Sequence, residues 1–268
     1  HALAGAYKAN GQIDKAVDLL EHVVAVEGTT LAENHPSRLA SQHALAGAYE
    51  ANGQIDKAVD LLEHVVAIKG TTLAENHPSR LASQHALARA YEANGQIDKA
   101  VDLLEHVVAI KGTTLAENHP DQLASQHALA GAYKANGQID KAIDLLEHVV
   151  SIKEILAENH PSRLASQHAL AGAYKANGQI DKAVDLLEHV VSIEEILAEN
   201  HPSRLASQHE LAGAYEANGQ IEEAVELLKH VVEMKKETMA ENHPSRVMSE
   251  ELLQYFYETL DGPTDLRA

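Results

Sequence analysis

His43-Ala44-Leu45-Ala46-Gly47-Ala48-Tyr49-Glu50-Ala51-Asn52-Gly53-Gln54-Ile55-Asp56-Lys57-Ala58-Val59-Asp60-Leu61-Leu62-Glu63-His64-Val65-Val66 reads as two helices joined by one tight turn. Asn52-Gly53 breaks the pattern between them, because glycine adopts the left-handed conformation that closes a helix at little steric cost. One repeat further on, the same logic gives a first helix, helix A, from about Ser79 to Ala93. Its apolar face holds Leu81, Leu87, Ala88 and Tyr91 at helical spacing. Pro78 stands where a first helical position tolerates a missing N–H, with His77 extended before it. Helix B starts near Ile97, places Asp98 in its first turn against the helix dipole, and continues through Val101, Leu104, Val107, Val108 and Ile110. Gly112 is expected to fray its end.

The pattern recurs along the whole chain. His-Pro dipeptides end at Pro36, Pro78, Pro120, Pro161, Pro202 and Pro244, spaced 42, 42, 41, 41 and 42 residues apart. The segment 43–84 differs from 85–126 at only three positions, Gly47/Arg89, Ser79/Asp121 and Arg80/Gln122. The shorter spacings arise where Glu154-Ile155 and Glu195-Ile196 replace Gly112-Thr113-Thr114. Those are better helix formers, so helix B is expected to run longer there. A period in this range means a stacked array in which each repeat buries its apolar face on the next.

Composition agrees. Aromatics are 3% of 268 residues, with no Trp and a single Phe, which disfavours a β-sandwich. The absence of Cys removes disulfides and thiolate metal sites and fits a reducing, cytoplasmic setting. No apolar run approaches the ~20 residues of a membrane span. A formal charge of −19 argues against nucleic acid and for a neutral or basic contact patch on a partner.

Leu45-Ala46, Tyr49, Gly53, Ala58, Leu62 and Val65 fall at the spacing of the tetratricopeptide signature. The 42-residue period and Asn76-His77-Pro78 resemble the kinesin-light-chain subtype of that family. Homogeneous arrays of this kind also resemble the sensor repeats of fungal NLR-like receptors, which carry NB-ARC or NACHT domains. The resemblance implies an all-α fold, a right-handed superhelical solenoid of antiparallel helix pairs over 1–244 with its first repeat truncated. A C-terminal capping helix and tail follow over 245–268. Met248, Leu252, Leu253, Tyr255, Phe256 and Tyr257 carry the cap, and Asp261-Gly262-Pro263 ends it. His1 aligns with His43 in mid-helix, so the native N-terminus is expected to lie upstream, and the face left there invites end-to-end self-association.

The family lines its concave groove with helix A, here along Ala40, His43, Ala44, Gly47, Glu50 and Ala51. Several positions where the repeats differ lie on that stripe. The resemblance therefore implies a partner-binding groove of His43, Gly47, Glu50, His85, Arg89, Glu92, His127, Lys134, His168, Lys175, His209, Glu210 and Glu216. Small residues leave room for a ligand backbone, and His with alternating Lys and Glu supplies polar handles. His43 and Ala44 replace the paired asparagines of kinesin light chains, and Gly47 and Ala51 replace a lysine-asparagine clamp.

Catalytic templates are missing: no Gly-rich phosphate loop, no His-Glu-x-x-His, no Gly-x-Ser-x-Gly. Three histidines per repeat (His43, His64 and His77) sit on different elements, far from the convergence a zinc site needs. Asp56, Asp60 and Glu63 read as a solvated stripe. The expectation is therefore a non-catalytic module without cofactor or metal that binds a protein or peptide. A self-associating scaffold or a kinesin-light-chain-like cargo adaptor is the alternative. With 18 histidines titrating near the ordinary value of about 6.5, solubility is expected to fall between about pH 7 and 5.5.

Overall fold

The computed structural model describes residues 2–261, which form thirteen α-helices and no strand. They divide into two compact units, His1–Gly137 and Gln138–Ala268. The first holds α1 (Ala2–Ala9), α2 (Ile13–Thr30), α3 (Pro36–Ala51), α4 (Ile55–Thr72), α5 (Pro78–Ala93), α6 (Ile97–Thr114) and α7 (Pro120–Ala135). The second holds α8 (Ile139–Lys153), α9 (Pro161–Ala176), α10 (Ile180–Glu194), α11 (Pro202–Ala217), α12 (Ile221–Thr238) and α13 (Pro244–Asp261). Within each unit, every helix packs on its neighbours in sequence. None of the described helices is long and apolar enough to cross a membrane.

Each helix A starts on an unusual cap. His77 is extended, and its Nδ1 accepts the Ser79 N–H at 3.1 Å. His35, His119, His160 and His201 repeat the bond. Nδ1 can accept only when it carries no proton, so the cap needs the neutral ring protonated at Nε2. Pro78 then occupies the first helical position, where its missing N–H is no loss. The helix closes at Gly95 with φ +72°, the Gln96 N–H reaching Tyr91 O and the Gly95 N–H reaching Glu92 O. Those two bonds are the paired closure that a left-handed glycine permits. From the first turn of the same helix, Arg80 donates to Gly70 O and Leu73 O, satisfying carbonyls at the end of the preceding helix B.

The core is made of small and medium side chains. Ala46, Ala48, Ala58 and Val65 are fully buried, and Leu45 and Leu62 nearly so. Alanine at these contacts lets helix axes approach, and the larger residues fill the space between them. At the end of the array, Phe256 of α13 is fully buried among Leu205, Ala212, Ala224, Val225, Leu228 and Val231. Leu252, Leu253 and Tyr257 pack around it, whereas Met248 faces solvent. The expected break at Gly262-Pro263 lies outside the described residues.

Two expectations about helix B are overturned. Gly112 frays nothing: α6 continues to Thr114, and the hydroxyls of Thr113 and Thr114 donate back to Ile110 O at 2.8 and 3.0 Å. Glu154-Ile155 and Glu195-Ile196 do not lengthen the helix either; α8 and α10 have 15 residues against 18 in α4 and α6. The cause is geometric. One leucine N–H closes on the equivalent carbonyl in these repeats: Leu73 on Lys69, Leu156 on Lys153, and Leu197 on Glu194. With one residue deleted, that closure becomes a tighter three-residue turn, so the final helical turn is lost and Ile155 and Ile196 are left 73% and 70% exposed.

Candidate functional site

The helix-A face of each unit carries the predicted recognition residues, and several of them are engaged by side chains of a neighbouring helix. Arg89 Nη2 lies 2.6 Å from Glu50 Oε1, a charge pair that links α5 to α3. Lys8 Nζ donates to Gly47 O at 2.8 Å. Lys175 crosses to α11, where a Cβ on Gly213 would stand 2.9 Å from its Nζ. Tyr255 donates to Glu216 at 3.3 Å. One rule connects these contacts: the charge-switching position of one helix A reaches a position 38 or 39 residues later, on the next. Glycine leaves room for lysine there, while arginine answers glutamate. Glu92 is half-buried, and burial raises its carboxyl above the usual range against the opposing pull of Arg89. Lys134 and Glu210 face solvent.

The histidine row is half-buried rather than free. His43 Nδ1 lies 3.2 Å from Ser83 Oγ, and His209 Nδ1 lies 2.9 Å from Ser249 Oγ. His127 and His168 occupy the same position and are likewise half-buried. Burial lowers the pKa of His43, His85 and His209, and nearby Lys69, Lys111 and Lys235 respectively lower it further. These three rings therefore do not charge near 6.5, and the pH-driven loss of solubility expected from all 18 histidines is correspondingly weaker.

Beneath the histidines is a buried arrangement that sequence reading missed. Lys69, at the end of α4, is only 6% exposed, and its Nζ donates to Ser83 Oγ at 2.7 Å and Ser79 O at 3.1 Å. Lys111, Lys153 and Lys235 repeat both contacts with Ser125, Ser166 and Ser249 and their preceding turns. Burial lowers the pKa of all four amines. The signal was present in the spacing: Ala58, Leu62, Val65 and Lys69 lie four, three and four apart, so Lys69 falls on the buried stripe.

These elements frame a cleft of about 410 Å³ between α5 and α7. Its walls include Leu81, Ala82, Ala86, Ala124 and Leu115, and its polar groups include His43, His85, Arg89, Lys111, Asp121 and Ser125. A second cleft of about 440 Å³ lies between α9 and α11. On the helix-B side, Tyr91 donates to Glu63 at 2.7 Å while Lys99 covers its ring at 5.0 Å. Glu63 stays exposed, as expected of the stripe, while accepting from a tyrosine, and Tyr49, Tyr133, Tyr174 and Tyr215 donate to their glutamates likewise. Among the described residues no three His, Cys, Asp or Glu converge as metal ligands would.

A helical array with clefts between successive first helices is the class this geometry defines, and the comparisons agree. Tetratricopeptide-repeat models match residues 1–71, 80–121, 121–195 and 162–237. The chain belongs to the tetratricopeptide-repeat family. It is similar to a Podospora anserina protein of nearly identical TPR-like repeats, named for kinesin light chain. One crystal structure of that protein is 62% identical, covering 76% of this chain and 97% of that one, with a TM-score of 0.70. BtubC from P. vanneervenii shares the fold at 18% identity and TM-score 0.69, over 87% and 94% of the two chains. So does a Pyrococcus horikoshii STAND ATPase with a tetratricopeptide sensor, at 15% identity and TM-score 0.72. That match covers 97% of this chain and 38% of the ATPase. No curated protein matches the sequence.

Proposed function

We propose that the helix-A clefts bind an extended peptide or a partner protein, and that the array is the sensor part of a larger fungal NLR-like receptor acting in the cytoplasm. The observation that carries this reading is the α5–α7 cleft, where alanines leave backbone-sized room beside His85, Arg89 and Lys111. A pre-formed surface of this kind loses little entropy on binding. Tetratricopeptide repeats are in general interaction modules, and the Pyrococcus horikoshii ATPase uses such repeats as its sensor. The name of the Podospora relative favours cargo adaptation as a second reading, although His43 and Ala44 replace the asparagines that kinesin light chains would offer.

The test is selection from a displayed library of random peptides, each roughly 12 residues long, against the intact chain. The best peptide should lose about tenfold or more in affinity to the combined change His85→Ala, Arg89→Ala, Glu92→Ala. The helix-B change Asp60→Ala should leave its affinity unaltered. The opposite pattern would move recognition to the helix-B side. A concentration-dependent sedimentation coefficient without peptide binding would favour the self-associating scaffold.

A further inference from the structure

One position on the buried stripe of helix B changes sign along the chain: Glu27, Lys69, Lys111, Lys153, Glu194, Lys235. Where it is lysine, the next helix A supplies acceptors. In the C-terminal unit, Lys153 Nζ lies 3.0 Å from Ser162 O and 2.7 Å from Ser166 Oγ, and Lys235 Nζ lies 3.0 Å from Ser245 O and 2.7 Å from Ser249 Oγ. Glu194 takes this place at the end of α10 and is 4% exposed. A carboxylate accepts and cannot donate, so a carbonyl that partners an ammonium offers it nothing. Its Oε2 has no hydrogen-bond partner. A buried carboxylate with one oxygen left unpartnered is costly, which calls for a cation to complete it.

The same cleft holds a second incomplete group. His168 of α9 presents a buried Nε2 that also has no partner. Glu194 and His168 both line the 440 Å³ space between α9 and α11, whose remaining walls include Leu164, Ala165, Leu197 and Ala206. A carboxylate and, with the ring protonated at Nδ1, an imidazole nitrogen in a largely apolar cleft match a side chain with a methylene stem and a donor-rich cationic head. They do not match a bare metal ion, which needs about four or more ligands.

We infer that the α9–α11 cleft is a subsite for a lysine or arginine side chain of a bound peptide, its head donating to the Glu194 carboxylate and to His168 Nε2. The inference rests on the peptide-binding reading above. In the equivalent α5–α7 cleft, Lys111 already fills that place with its own ammonium, donating to Asp121 O and Ser125 Oγ. The chain therefore contains both forms of the pocket, one filled from within and one left for an incoming cation.

The experiment uses the peptides selected above against the intact chain. Enriched sequences should share a Lys or Arg at one register position. Changing that residue to Met should cost about tenfold or more with wild type, and little with Glu194→Lys, whose new ammonium would meet Ser203 and Ser207 as in the other repeats. Glu194→Gln keeps the shape, removes the charge and should show an intermediate loss, which guards against a folding defect in the lysine variant. Peptides that bind without a shared cation, or whose cation is insensitive to both variants, would overturn the inference and leave the groove reading standing. A library that yields no binder would overturn both.

Discussion

Lys69 Nζ sits 2.7 Å from Ser83 Oγ, a buried ammonium of α4 held by a buried hydroxyl of α5. The pair joins one repeat to the next through the core, beneath the histidine row that faces the cleft. Ser83→Ala leaves the ammonium with Ser79 O alone and should destabilise by about 1–3 kcal/mol. The urea midpoint reads it, and Lys69→Met combined with Ser83→Ala should cost less than the two changes added separately.

The reverse change is expected at Glu194. Glu194→Lys exchanges a carboxylate whose Oε2 has no partner for an ammonium with two acceptors, and should raise stability by about 1 kcal/mol. A fall in the midpoint would mean that Ser203 and Ser207 cannot form the cradle seen around Lys153 and Lys235.

Arg89 and Glu50 are paired, the arginine open to solvent and the glutamate partly buried, with side chains 58% and 22% exposed. Such a pair contributes about 0–1 kcal/mol. Arg89→Ala should therefore barely move the unfolding midpoint, so any loss of peptide affinity in that variant reports on recognition. Gly131→Ala, where an added Cβ meets nothing within 4 Å, should stabilise α7 by about 0.5–1 kcal/mol. Gly95→Ala should destabilise by a similar or larger amount, because its φ of +72° is strained for any side chain.

Acid should weaken the array from below neutral pH. Burial holds His43, His85 and His209 below the ordinary 6.5, with Lys69 near the first, Lys111 and Arg89 near the second, and Lys235 and Lys175 opposed by Glu210 near the third. The unfolded chain then takes up protons first, so stability is full above about 6.5 and is lost as pH falls from there toward the folded values. The urea midpoint should decline as pH falls from about 6.5 to 5.5, and His43→Gln with His85→Gln should flatten the decline.

Alkali acts on the tyrosines. Burial, with hydrogen bonds to glutamate, pushes Tyr49, Tyr91, Tyr133, Tyr174 and Tyr215 up to about 12 from the ordinary 10.0. Their contribution is fully present below about pH 10 and is lost as pH rises through about 12. Absorbance at the phenolate band should show these five missing from the first titration step in the folded protein.

The chain's own periodicity determined the helices, their caps and the repeat. Those features are local: Pro78 and Gly95 act on their own backbone, and the spacing of Leu81, Leu87 and Tyr91 needs no partner to be read. The helix-A stripe is where the repeats differ, and that much is visible in the sequence. Which side chains on it are free was not. Arg89 meets Glu50 across 39 residues of sequence, and Glu63 meets Tyr91 across 28, so both pairings exist only once helices stack. The lengths of α8 and α10 escaped for a related reason. Closure of Leu156 on Lys153 and of Leu197 on Glu194, with Arg163 and Arg204 of the next helix A held on those leucine carbonyls, outweighs the local propensity of Glu154-Ile155 and Glu195-Ile196. Tertiary structure alone decided the fate of position 69 and its equivalents. The spacing places that lysine or glutamate on the buried stripe, and only packing against the next helix A shows that the lysines find acceptors and that Glu194 Oε2 does not.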